Sequence, residues 1–198
     1  MKKKLLTSIL MLAALLFAGN AFAGSATDFV RTKQTKVFEI IQQPKSGARD
    51  AKLKGMFDEI FAYDILARKS LGKEEWGKRS AEEKRRFSDL LTRLVRNNYR
   101  RNLQNMLNYD ISYVREANKG STTMVYTVAK HKNDSREPDV SIDFRVMKIN
   151  GSWRAVDLVT EQASLVKTYR SQFLRIIRKD GFEALIKKME SKLAKESD

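Results

Sequence analysis

Residues 140–178, VSIDFRVMKINGSWRAVDLVTEQASLVKTYRSQFLRIIR, contain a strand pattern, a turn, a second strand pattern and a helix pattern in succession. At the start of this stretch apolar residues alternate with polar ones, at Val140, Ile142, Phe144 and Val146. This period of two is typical of a strand with one buried face. Asn150-Gly151 can adopt positive φ at both positions and predicts a two-residue type I′ turn into a return strand, residues 153–159. The stretch therefore begins with a predicted β-hairpin.

The turn also predicts the register of the hairpin, because residues opposite each other share a face of the sheet. The predicted pairs are Phe144 with Asp157, Val146 with Ala155 and Lys148 with Trp153. Asp157 then lies on a largely apolar face, where an unpaired carboxylate is costly. Two interpretations stay open for it. It is a structural aspartate held by an arginine, a tyrosine or a backbone N–H of a covering helix, or it is a polar group at the mouth of a cavity.

The period becomes helical after Ser164. Apolar residues then recur on one face, at Val166, Tyr169, Phe173, Ile176 and Ile177. This spacing predicts an amphipathic helix that covers the apolar side of the hairpin. Asp180-Gly181 ends that helix, and residues 182–193 predict a final amphipathic one. Sheet and helix together enclose apolar volume.

The remaining patterns give the fold class. Helices are predicted over residues 25–42, 53–61, 65–71 and 81–107, and the last begins with a capping box, Ser80 to Glu83. Strands are predicted over residues 111–115 and 122–129. Helices, then a run of antiparallel strands, then helices again predict the α+β class. The expected architecture is a four-stranded antiparallel twisted sheet covered by several helices and enclosing an apolar pocket.

The first residues carry the pattern of a secretory signal peptide. Lys2 to Lys4 form a basic region, residues 5–18 an apolar one, and Ala21-Phe22-Ala23 a cleavage site. Fourteen apolar residues are fewer than the roughly 20 that a membrane-spanning helix needs. The predicted organisation is a cleaved peptide, residues 1–23, followed by a single domain, residues 24–198.

Charge and cysteine content indicate the compartment and the partners. Cleavage removes three lysines, so the formal net charge falls from +15 to +12, and the chain has no cysteine that could form a disulfide or carry a lipid anchor. An exported, unanchored protein of this kind suits a bacterial periplasm. Nucleic acid is then not an expected partner, whereas membrane headgroups and acidic protein surfaces are. Arg93, Arg96 and Arg100 of the long helix are candidates for docking to such surfaces, and a merely solvated helix face is the alternative.

Motifs for catalysis or metal binding are not found in the sequence. The single histidine, His131, has no identifiable carboxylate or second ligand near it. No phosphate-binding glycine loop, nucleophile elbow or zinc-binding helix motif occurs. We therefore expect no enzyme, no metal and no cofactor.

Aromatic, methionine and valine side chains supply candidates for an apolar pocket. They are Phe57, Phe61, Tyr99, Met106, Met124, Tyr126, Phe144, Val146, Tyr169 and Phe173. Filling a packed core is the default role of such residues. Lining a lipid cavity is the alternative, and the sequence does not separate the two.

Several segments resemble the MlaC-type periplasmic phospholipid-binding proteins, also called toluene-tolerance proteins. The resemblance covers nearly all of the predicted mature chain. It is carried by FAYDILAR at residues 61–68, by SAEEKRRF at residues 80–87, by WRAVD at residues 153–157 and by SLVKTYRSQF at residues 164–173 with DGFEALI at residues 180–186.

The resemblance implies a carrier that holds the acyl tails of a phospholipid between sheet and helices, with the headgroup outside. It implies transport between an outer-membrane complex built on MlaA and an inner-membrane ABC transporter whose MlaD subunit faces the periplasm, without catalysis. Ala62 and residues 74–77 depart from the pattern expected for the family.

Two other functions stay open. One is a small α+β cavity domain that acts on or binds another hydrophobic ligand, with Asp157 or Asp64 as its acid or base. The other is a periplasmic adaptor that binds proteins only, which a fully packed interior would favour.

Overall fold

The computed structural model describes residues 25–196, so the predicted signal peptide lies outside the described residues. The helices are α1 Ala26–Ile41, α2 Gly47–Ile60, α3 Tyr63–Leu71, α4 Lys73–Gly77, α5 Ala81–Met106, α6 Leu165–Asp180 and α7 Phe182–Lys195. The strands are β1 Tyr109–Lys119, β2 Thr122–His131, β3 Val140–Ile149, β4 Ser152–Thr160 and β5 Ala163–Ser164. Within residues 25–196 no helix has both the length and the hydropathy needed to cross a bilayer.

The strands form one antiparallel sheet in the order β1-β2-β3-β4-β5. The predicted α+β class is confirmed, with one more strand than expected. The additional strand, β5, has two residues that pair with the end of β4. A strand this short has no period to detect in a sequence. Helix α4, with five residues, is also too short to show a helical period in the sequence.

The hairpin of β3 and β4 turns as predicted, with φ of 49° at Asn150 and 79° at Gly151. Val146 pairs with Ala155, which confirms that part of the register. The predicted pairing of Phe144 with Asp157 is wrong. Phe144 pairs with Leu158 because the register shifts between Arg145 and Val146, where a β-bulge adds a residue to β4.

Side-chain caps explain where the main helices begin. Ser25 Oγ accepts from the Asp28 N–H at 3.1 Å at the start of α1. Ser80 and Glu83 form the predicted capping box of α5, with Ser80 N–H donating to the Glu83 carboxylate at 2.7 Å. Helix α5 then continues for 26 residues. It is long enough to contribute to both of the apolar clusters described next.

The buried residues within 25–196 form two apolar clusters. One lies between the sheet and helices α1 and α2 and includes Val125, Val146 and Leu158. The other is built from helices and has Phe87 and Ile186 at its centre, both fully buried.

Helix α6 contributes to both clusters. Val166 packs in the sheet cluster, whereas Phe173, Ile176 and Ile177 pack in the helical one. The prediction that this whole face covers the hairpin is therefore corrected. The start of α6 lies beside β4, and the rest packs against α3 and α7.

Candidate functional site

An apolar cavity of about 460 Å³ lies between the sheet and helices α1, α2 and α5. The helices line it mainly with Phe29, Val30, Val37, Phe38, Phe57, Ile60, Tyr99, Leu103 and Met106. The strands line it mainly with Val140, Ile142, Phe144, Leu158 and Ala163. The amphipathic periods of both layers turn these residues inward. The space is therefore bounded by the apolar faces of two layers that do not meet completely.

Three aromatic rings form part of the cavity wall. Phe61 and Tyr99 stack with ring centroids 5.2 Å apart, and the Phe57 ring lies 6.3 Å from that of Tyr99. Burial raises the pKa of the Tyr99 phenol. A main-chain hydrogen bond connects the residue after Phe61 to the sheet, because Ala62 N–H donates to the Ala155 carbonyl of β4 at 3.0 Å. This part of the wall is consequently attached to both layers.

Polar side chains that line the cavity are few, and two of them are engaged with other residues. Lys33 pairs with Glu59, and this hydrogen bond holds the pKa of the Glu59 carboxyl below its ordinary value. Gln34 accepts a hydrogen bond from the Tyr113 hydroxyl. Burial raises the pKa of Tyr113 to about 12, so this phenol stays protonated at neutral pH. The cavity therefore presents mostly hydrocarbon to a ligand.

Five of the ten pocket candidates line this cavity: Phe57, Phe61, Tyr99, Met106 and Phe144. The structure places the other five away from its wall. Val146 of β3 is fully buried in the cluster between the sheet and helices α1 and α2, and it is not part of the cavity wall. Met124 and Tyr126 lie on the opposite face of β2 from Val125, because residues alternate along a strand.

Tyr169 and Phe173 of α6 belong to the helical region of the interior. Their rings stack on each other with centroids 5.2 Å apart, and Phe173 is buried against Phe87. They therefore lie away from the wall of the apolar cavity, because α6 leaves the sheet after its first turns.

Sequence reasoning did not select the α1 residues Val30, Val37 and Phe38 or the strand residues Ile142 and Leu158 as pocket candidates. Each of them lines the cavity. The apolar periods of α1 and β3 contain the signal for a buried face. No sequence pattern, however, distinguishes a buried face that meets its partner from one that leaves a space.

Asp157 is a structural aspartate held by α6. Its carboxylate accepts from the Ser164 hydroxyl at 2.6 Å and from the Val166 N–H at 3.0 Å. It is 6% exposed and is not among the residues that line the cavity. Of the two interpretations of Asp157, the structural aspartate held by a backbone N–H of a covering helix agrees with this geometry. Asp64, the other acid considered for catalysis, also lies away from the cavity wall.

The three docking candidates differ in their surroundings. Arg93 is exposed on α5. Arg96 pairs with Asp58 of α2, and its guanidinium lies 5.2 Å from the centroid of the Tyr63 ring. Arg100 lies 3.5 Å from the carboxylate of Asp50. Arg96 and Arg100 thus attach α5 to α2, which leaves Arg93 as the candidate that is free to contact a partner.

Metal ligands are not grouped in the part of the chain that the structure describes, since no three His, Cys, Asp or Glu side chains come together there. His131 instead stabilises a turn, with its Nδ1 accepting from the Asp134 N–H at 2.9 Å.

Comparisons with known proteins agree with this architecture. The family model described as MlaC protein matches residues 31–191. Among solved structures, a phospholipid-binding protein from Ralstonia solanacearum, determined in complex with a phospholipid, matches with a TM-score of 0.72 and 22% sequence identity. The match covers 87% of this chain and 99% of that one. No curated protein gives a significant match.

Proposed function

The chain belongs to the MlaC protein family, and we propose that it is a periplasmic carrier that binds phospholipid by its acyl chains and moves it between membranes. The observation that carries this proposal is the cavity of about 460 Å³ between the sheet and α1, α2 and α5. The similar protein from Ralstonia solanacearum was solved with a phospholipid. Both observations support a lipid as the ligand.

The volume of the cavity suits an acyl chain. A cavity of about 150 Å³ holds one benzene molecule with its six carbons. A cavity of about 460 Å³ therefore holds on the order of eighteen carbons, about one long acyl chain. A second chain requires the walls to move outward.

The energetics explain why such a carrier is needed. Burial is worth about 0.8 kcal/mol per methylene, so the methylenes of one long chain contribute on the order of 12 kcal/mol. A free phospholipid would have to expose that surface to cross water. An apolar cavity with few free polar groups removes most of this barrier, because the chain exchanges one hydrocarbon environment for another.

The proposed compartment rests on the signal-peptide pattern, and the proposed partners rest on the resemblance to the MlaC family. A cleaved signal peptide at residues 1–23 would deliver the domain to the periplasm. There it would receive or deliver lipid at an outer-membrane complex built on MlaA and at an inner-membrane ABC transporter that contains MlaD. The exposed Arg93 is the proposed contact to an acidic partner surface.

Binding is favoured over catalysis by the cavity wall itself. An acid or base has to be within hydrogen-bond reach of the bound substrate. Asp157 is committed to Ser164 and Val166, and neither it nor Asp64 lines the cavity. Among the described residues, the cavity wall has one side chain of the Asp, Glu, His or Lys type. It is Lys33, which pairs with Glu59. A binding module for another hydrophobic ligand is the remaining alternative.

Native mass spectrometry of the mature protein, purified from a bacterial periplasm without detergent, tests the ligand. The proposal predicts a mass increment equal to a phospholipid and recovery of that phospholipid on extraction. A bare polypeptide mass that persists after incubation with phospholipid vesicles would contradict it. A different extracted hydrophobic compound would support the alternative.

A transfer assay tests the carrier role separately. Lipid-loaded protein is mixed with vesicles that contain the proposed transporter or with the same vesicles without it. We expect faster release to the transporter, and we expect Arg93→Glu to slow only that release. Equal release to both kinds of vesicle would contradict a hand-off between proteins while leaving lipid binding intact.

A further inference from the structure

A second cavity, of about 390 Å³, lies where the end of α1 and the start of α2 meet α5. The described side chains that line it include four charged ones: Lys45, Arg49, Asp50 and Arg100. The lipid function proposed above makes no use of this cavity. Its walls are more highly charged than those of the apolar cavity, where Lys33 is the one charged side chain among the described lining residues.

Positive charge exceeds negative charge in this second cavity. Asp50 is shared by two guanidiniums, with Arg49 at 3.2 Å and Arg100 at 3.5 Å from its carboxylate oxygens. Lys45 is exposed and has no carboxylate within 4.0 Å among residues 25–196. Among the described side chains, three cations therefore face one acid. An anion with a single or double charge would balance them.

Arg49 offers this cavity a hydrogen-bond donor that no protein group uses. Its side chain is 11% exposed, and its Nε–H is buried without a hydrogen-bond partner in the described structure. Leaving a buried donor of a charged group unpaired is unfavourable, whereas an acceptor oxygen in the cavity would pair it. Arg49 also lies in the first turn of α2, where the helix dipole is positive and disfavours a cation.

The two cavities are neighbours. Leu103 lines both of them. Along α1, Val37 lines the apolar cavity and Ile41, one helical turn later, lines the second. Along α2, Leu53 lines the second cavity and Phe57, one turn later, lines the apolar one. A molecule with a long apolar part and an anionic end could thus occupy both.

We propose that the second cavity binds the phosphate group of the carried lipid, through Arg49, Arg100 and Lys45, while an acyl chain occupies the apolar cavity. This inference rests on the proposed lipid-binding function. Guanidinium groups suit a phosphate because their parallel N–H donors match its oxygens. The ligand class is a phosphate anion, and free phosphate has the same chemistry, so the experiment has to separate these two sources.

The first measurement compares two lipids with identical chains. Protein stripped of lipid is titrated with dioleoylphosphatidylglycerol or with dioleoylglycerol, which lacks the phosphate, in competition with a fluorescent lipid. We expect the phosphate-containing lipid to bind at least about tenfold more tightly, since charge-assisted hydrogen bonds are among the strong ones. Arg49→Gln should remove most of that preference. Arg175→Gln, the same change at an exposed position of α6, should leave it unchanged.

Lys45→Gln is a second variant for the case that Arg49→Gln does not fold. Lys45 is exposed, so its replacement should not affect folding. We expect it to weaken binding of the phosphate-containing lipid severalfold and to leave binding of dioleoylglycerol unchanged. Equal affinity of the unmodified protein for the two lipids would overturn the proposal while leaving the lipid-binding function standing.

Inorganic phosphate distinguishes the two sources. Calorimetric binding of phosphate to protein loaded with dioleoylglycerol should be detectable, and loading with dioleoylphosphatidylglycerol should abolish it. Phosphate binding that persists with both lipids, and that Arg49→Gln removes, would overturn the headgroup assignment in favour of free phosphate. If neither lipid binds, the proposed function fails. Phosphate binding and its dependence on Arg49 would then report on the anion site alone.

Discussion

The ring of Tyr99 in α5 stacks on the ring of Phe61 at the end of α2, with centroids 5.2 Å apart and planes inclined by 26°. Phe61 also forms a parallel bridge with Ala155 of β4. The pair therefore joins α5, α2 and the sheet at one place on the cavity wall. Both the shape of the cavity and the stability of the domain should depend on it.

Removal of the Tyr99 ring is predicted to destabilise the domain. Tyr99→Ala should lower the free energy of unfolding by about 3 kcal/mol or more, because a large aromatic side chain leaves a void. Tyr99→Phe is the control. It keeps the ring and should change stability by less than about 1 kcal/mol. Urea denaturation measures both, and equal losses would mean that the hydroxyl, not the ring, is what matters.

Filling the apolar cavity is predicted to reduce lipid binding without unfolding the protein. Ile142 of β3 lines the cavity, so Ile142→Trp should fill part of the space and lower lipid occupancy severalfold. Met147, on the other face of β3, does not line it. Met147→Trp should therefore leave occupancy unchanged. Native mass spectrometry gives the occupancy, and equal effects of the two variants would contradict the location of the ligand.

Asp157 is predicted to couple the sheet to α6. Asp157→Ala should lower the free energy of unfolding by about 3 kcal/mol, since it leaves the Ser164 hydroxyl and the Val166 N–H without their acceptor. Asp157→Asn keeps one acceptor oxygen and should lose less. Combining Asp157→Ala with Ser164→Ala should give less than the sum of the single losses, because they remove the same hydrogen bond. Strict additivity in chemical denaturation would show that the two residues act independently.

Asp143 is predicted to make stability depend on pH. Burial raises the pKa of its carboxyl above the ordinary value, although the Arg115 guanidinium offsets part of this effect. The folded state then holds the proton more tightly than the unfolded state. This contribution to stability is complete below about pH 4 and is lost as pH rises through the raised pKa.

Asp143→Asn should consequently be more stable than the unmodified protein at pH 7. The amide oxygen can still accept from the Thr127 N–H, which lies 3.1 Å from the present carboxylate, and the buried charge is gone. The gain should not exceed about 0.5 kcal/mol at this partly exposed site, and it should shrink towards zero at pH 3. Thermal unfolding across this pH range measures the difference. A difference that is constant with pH would contradict the assignment.

Local sequence signals were sufficient for most of the fold. The alternation in β3, the Asn150-Gly151 turn and the capping box of Ser80 and Glu83 each depend on residues close together in the chain, and each is present in the structure. The register of the hairpin from Arg145 back to Ile142 could not be predicted from such local signals. Beside the bulge, Ala155 of β4 forms a bridge with Phe61, and a contact between segments so far apart in the chain leaves no local signal in the sequence.

The candidate site was less accessible than the fold. Phe144 and Phe173 have the same apolar character, yet Phe144 lines the cavity and Phe173 lies in the helical cluster. Which of the two meets empty space is decided by where α6 leaves the sheet. The charged cavity was missed for a similar reason, because Arg49 and Arg100 are 51 positions apart in the chain and meet only through Asp50.

Photo-crosslinking locates the acyl chain in the protein and thereby tests whether the apolar cavity is the lipid-binding site. A phospholipid with a photoreactive diazirine at the end of one acyl chain is loaded and irradiated, and the cross-linked residues are mapped by peptide mass spectrometry. We expect cross-links to the walls of the apolar cavity, in α1, the second half of α2, and β3 at residues such as Ile142 and Phe144. Cross-links confined to α7 or to the face of β2 that carries Tyr126 would place the lipid outside the cavity and contradict the proposed binding site.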